Sequence, residues 1–82
     1  MLDSIEIQDL RHCRKTDPEW AAKKAGHLLA DAETTMVRAF EMDATITEWP
    51  GGTDGLRKTA QAYRDMAARY RARAAILLGD AE

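Results

Sequence analysis

Leu56-Arg57-Lys58-Thr59-Ala60-Gln61-Ala62, Tyr63-Arg64-Asp65-Met66-Ala67-Ala68-Arg69 and Tyr70-Arg71-Ala72-Arg73-Ala74-Ala75-Ile76 follow one another without a break. Three heptads carry one seam. Its members are Leu56, Ala60, Tyr63, Ala67, Tyr70, Ala74 and Leu77. Their spacing, alternately four and three, returns apolar side chains to one stripe of an α-helix, the pattern of a helix packed along a partner. One seam position of each heptad is Leu or Tyr, and the other is Ala.

Upstream of this segment, Trp49-Pro50-Gly51-Gly52-Thr53-Asp54-Gly55 forms a break. Pro50 disfavours helical geometry in the residue before it, and the glycines permit a tight reversal. Before the break lies a second line at the same alternation: Leu28, Ala32, Thr35, Ala39, Met42, Ile46 and Trp49. Ala recurs every seventh residue here too, at positions 25, 32 and 39. Small residues at a seam let two helix backbones approach closely, while the larger neighbours cover the contact. Thr16-Asp17-Pro18-Glu19 marks where this helix begins, with Thr16 or Asp17 as N-cap, Pro18 in the first turn and Glu19 at the positive end of the dipole.

The sequence therefore predicts an all-α, single-domain chain: an N-terminal arm over residues 1–16, helix one over 17–49, a turn over 50–55 and helix two over 54–79. Thr53 or Asp54 supplies a capping side chain for helix two, and Gly79 ends it. The short connection favours an antiparallel hairpin. Leu2, Ile5, Leu10 and Cys13 fit a short helix capped at Asp3 or Ser4. Ile5-Glu6-Ile7 also alternates like a strand, but no other segment offers a strand to pair with.

At 9.2 kDa and 82 residues the chain holds one small core. Of its apolar 45%, fifteen alanines supply about two-fifths. Chains below roughly 80 residues usually need staples or partners, and a single Cys excludes an internal disulfide framework. Helix one is apolar over a wider arc than one partner covers, because Ala22, Leu29, Met36 and Phe40 extend the stripe beyond the seam. Either the N-terminal arm, through Leu2, Ile5, Ile7 and Leu10, or a second copy of the hairpin is expected to cover that flank.

Charge is uneven beneath a net value of −2. From Leu56 to Leu78 six bases face one acid. From Asp31 to Glu48 five acids face one base. In an antiparallel hairpin these runs lie side by side and select orientation. Asp43 projects into the apolar arc of helix one, where a carboxylate needs a partner. Arg57, Gln61 and Arg64 are the nearest candidates, and a salt bridge from Asp43 to Arg57 or Arg64 is expected to fix the register. Arg57, Arg64 and Arg71 recur every seventh residue, as a flank facing acidic helix surfaces or as a phosphate-tracking ridge on nucleic acid. The negative total and the placement of Tyr63 and Tyr70 in the seam favour the first alternative.

No catalytic, cofactor-binding or metal-binding constellation is evident. His12 and Cys13 are adjacent, so on a helix they point about 100° apart. His27 lies on the polar arc of helix one, and Cys13 reads as a small apolar residue under the arm, with an intermolecular disulfide as the alternative. The glycine cluster lacks the Gly-Lys-Ser/Thr of a phosphate loop. Trp49 is expected to pack over the turn, or else to anchor a partner.

Trp49-Pro50-Gly51 between two long helices resembles the small Trp-x-Gly helical-hairpin proteins exported by type VII secretion. The resemblance implies a four-helix dimer and a role as a secreted partner or adaptor. The chain departs from that family's C-terminal Tyr-x-x-x-Asp/Glu signal: Tyr63 is followed four places on by Ala67, and Tyr70 by Ala74. The residues themselves support first a non-catalytic assembly subunit, acting by helix–helix contact in a homo-oligomer or a larger complex such as a virus particle. Its partners would be itself or other protein subunits. A small nucleic-acid-contacting regulator is the second reading. No run of 18 apolar residues is present and the acidic start lacks a basic n-region, so a mature chain that is cytoplasmic, or part of an intracellularly assembled particle, is expected, with no membrane partner.

Overall fold

A computed structural model describes residues 2–49 and 51–79; Pro50, on which part of the turn reading falls, lies outside them. Three helices follow in order: α1 (Ser4–Thr16), α2 (Pro18–Glu48) and α3 (Asp54–Leu78). Among the described residues there is no strand. α2 and α3 form the long antiparallel hairpin, and α1 packs against both.

Local chemistry sets the boundaries. The Asp3 side chain accepts the Glu6 backbone N–H at 2.8 Å and so caps α1, which settles Ile5-Glu6-Ile7 as helix. Asp17 serves two helices at once. Its backbone N–H donates to the Cys13 carbonyl at 2.9 Å, ending α1, and its side chain accepts from the Trp20 N–H at 3.1 Å, starting α2. One residue thus separates the helices, and Pro18, which has no N–H to leave unpaired, opens the second. Thr53 precedes α3 without a side-chain cap, contrary to expectation, because its backbone is already near helical (φ −99°, ψ 2°) rather than extended. Gly79 closes α3 at φ 86°, a left-handed conformation that favours glycine.

The hairpin core is an alanine ladder. Ala21, Ala25, Ala32 and Ala39 of α2 and Ala60, Ala67 and Ala74 of α3 are each at most 1% exposed. Leu28, Ile76 and Leu77 are the larger buried residues, and none of them is wholly enclosed. Such small side chains hold helix axes near the short end of the usual 8–10 Å range. Thr35 is the one buried polar residue among those described, and its hydroxyl donates to the Asp31 carbonyl at 2.7 Å, so burial leaves nothing unpaired.

Asymmetry along the hairpin comes from α1. Leu10 and Cys13, with Tyr70, pack on the cluster of Ala21, Ala25, Leu28, Ala74 and Leu77 at the end where α2 begins and α3 finishes. A Glu6–Arg73 ion pair holds the start of α1 to α3, and the Arg14 guanidinium reaches the Gly79 Cα. At the other end the seam thins: Met42, Ile46 and Leu56 are half-buried and Trp49 is 61% exposed. Trp49 does not plug the turn, because the backbone there leaves the helix in an extended conformation (φ −90°, ψ 128°). The molecule measures 52 × 22 × 14 Å. Fourteen ångströms is under two helix diameters, so no helix is surrounded and each keeps a solvent face.

Candidate functional site

The residues expected to form interfaces fall into two groups. Leu28, Ala32, Ala39, Ala60, Ala67, Ala74 and Leu77 are buried, and Ile46, Leu56, Tyr63 and Tyr70 are half-buried. These hold the hairpin together from within. Leu29, Met36 and Phe40 form the other group, on the outer flank of α2. Leu29 is 43% and Phe40 66% exposed, and Met36 is half-buried. The arm does not cover this flank: its contacts through Leu10 and Cys13 go to the seam's end, and Ile5 points to solvent at 72% exposure.

Two shallow hollows line this flank. One is bounded by Glu33, Thr34, Met36, Val37, Phe40 and Arg71. Its neighbour is bounded by Gly26, Leu29, Ala30, Glu33 and Arg71. Glu33 and Arg71 border both, so an acid from α2 and a base from α3 stand among the apolar side chains Leu29, Met36, Val37 and Phe40. Val37, 54% exposed, belongs to this flank and escapes a reading that counts outward from the seam. The signal that finds it is spacing from Glu33 rather than from the heptad.

The arginine line borders the same face. Arg64 donates to the Asp43 carboxylate across the hairpin, while Arg57 and Arg71 are exposed. Asp43 lies at the seam's edge rather than within an apolar arc, its side chain still 40% exposed. The contact therefore orients the helices more than it stabilises them; exposed pairs contribute about 0–1 kcal/mol. Gln61, the other residue near Asp43 in register, instead donates to Asp65 at 3.0 Å.

The remaining groups lie apart. His12 and His27 are exposed and Cys13 is half-buried as a free thiol. Among the described residues no three His, Cys, Asp or Glu side chains converge as metal ligands, and no helix is long and apolar enough to cross a membrane. No protein-family model, curated protein or solved structure matches the chain.

Proposed function

We propose that the chain is a non-catalytic assembly subunit that works by helix–helix contact, with the outer flank of α2 as its working surface. The observation that carries this reading is the row of exposed apolar side chains, Leu29, Val37 and Phe40, on a helix whose opposite face is fully used by the hairpin. A molecule with an alanine core and so little large buried side chain gains stability most readily by covering that row. The Arg57, Arg64 and Arg71 line serves protein rather than nucleic acid in this reading. Arg64 is already met by Asp43, which interrupts the ridge, and Arg71 borders the same apolar-lined hollow as Glu33.

Light scattering on a sizing column at two concentrations tests the proposal. The wild-type mass rises above the 9.2 kDa of one chain with concentration, and Phe40→Asp, a change at an exposed site, returns it to one chain without loss of helix content. A wild type that stays at one chain at both concentrations, unaltered by Phe40→Asp, overturns the reading.

A further inference from the structure

Glu33 is the centre of a complementary pattern in side-chain size, in which a smaller residue on one side answers a larger one at the same offset on the other. Three and four residues on either side of it lie Ala30 and Leu29 toward the start of α2, and Met36 and Val37 toward its end. Seven residues away lie Gly26 and Phe40. Offsets of three, four and seven keep all of these on one helix face, and together they make up nearly the whole lining of the two hollows.

Gly26 has no use within the chain. It sits inside α2, where glycine is the poorest helix former after proline. Its φ is not positive, and a Cβ built on it meets nothing within 4 Å. Phe40, seven residues beyond the centre, has the opposite anomaly: a large ring with no cover.

We infer that the outer flank of α2 takes a second copy of this chain, related by a two-fold axis through Glu33, so that α2 packs antiparallel on α2 of the partner. This rests on the assembly reading and specifies its register. Antiparallel pairing about residue 33 seats Phe40 of each copy on the bare backbone of Gly26 in the other, places Leu29 against Val37, and Ala30 against Met36. Large meets small or middling at every step, as isologous packing requires. Charge complementarity points the same way. The two Glu33 carboxylates would repel each other at the axis, but Arg71 borders the same two hollows as Glu33, so the pairing brings a base from each copy to the face that holds the two acids. A stable dimer covers on the order of 600–800 Å² per copy, about an eighth of the 5867 Å² that this chain exposes. The strip from Gly26 to Phe40 runs about 21 Å along the helix, with Arg71 of α3 at its border.

Disulfide trapping in a Cys13→Ala background reads the register. Glu33→Cys, on the axis, links to its own copy. Leu29→Cys does not, because two copies of position 29 stand about 12 Å apart along the axis, beyond the reach of a disulfide; nor does Val37→Cys. An equimolar mixture of Leu29→Cys and Val37→Cys links at least tenfold faster than either alone. All three positions are exposed, and circular dichroism confirms that each variant retains its helices. Self-linking of Leu29→Cys at the rate of the mixture overturns the register while leaving the assembly reading standing. A light-scattering mass of one chain at every concentration overturns both.

Discussion

Ala67 sits in the middle of the alanine ladder at 0% exposure, and Ala62, five residues earlier on the same helix, faces solvent. Replacing each by Leu makes the same covalent change in two environments. Leu and Ala differ little in helix propensity, so at position 62 the effect on stability is within about 0.5 kcal/mol. At position 67 three added carbons enter a contact that has no space for them. The helices must part or the side chain must take a strained rotamer, and overpacking of this kind costs about 1–3 kcal/mol. Separation also loosens Ala60 and Ala74, one heptad to either side, which places the expected loss near the upper half of that range. About 2 kcal/mol is roughly a thirtyfold fall in the ratio of folded to unfolded chain, out of a total near 4–12 kcal/mol for a domain of this size. Urea unfolding followed by circular dichroism measures it, at one fixed protein concentration because association adds to apparent stability. Equal midpoints for the two variants, or a loss at Ala67 below about 0.5 kcal/mol, would refute the close-contact ladder as the basis of the hairpin.

Three further outcomes follow from the same geometry. Leu77→Ala, in the cluster under α1, lowers stability by about 2–4 kcal/mol in the same urea experiment, since the shallow surroundings collapse only in part. Asp17→Ala removes the side-chain cap of α2 and costs about 1 kcal/mol, with amide exchange quickening first at Trp20. A double-mutant cycle on Asp43→Ala and Arg64→Ala gives a coupling below about 1 kcal/mol that shrinks in 1 M salt, because both side chains remain more than a third exposed.

The heptads of residues 56–77 carried the fold because each seam position has a single task, and a 3.5-residue repeat in an Ala-rich helix has few other ways to be used. Helix ends at Asp3, Asp17 and Gly79 were readable for the same reason: each is a local contact between neighbours in the chain. What the sequence left open depends on distance around the helix. Projection gives the direction of Asp43 but not how far α3 wraps, and so an edge residue looked central. Trp49 looked like a plug because aromatic residues at a turn usually find a surface; here the chain has already left the helix, and α1 lies at the far end. The sequence offered two covers for the flank of α2. Thirteen of the residues before α2, Ser4–Thr16, form a helix that lies over the seam's end, and only the geometry removes the arm from that choice. Gly26 carried no weight in a seam-based reading. It acquires meaning only when a built Cβ meets empty space.

Hydroxyl-radical labelling of Phe40 across a hundredfold dilution tests most directly whether the outer flank of α2 is a working surface. The ring is 66% exposed in the single chain, so the account predicts strong protection of Phe40 at high concentration, lost on dilution, while labelling of the equally open Ile5 stays constant. Phe40 labelled to the same extent at every concentration would contradict it.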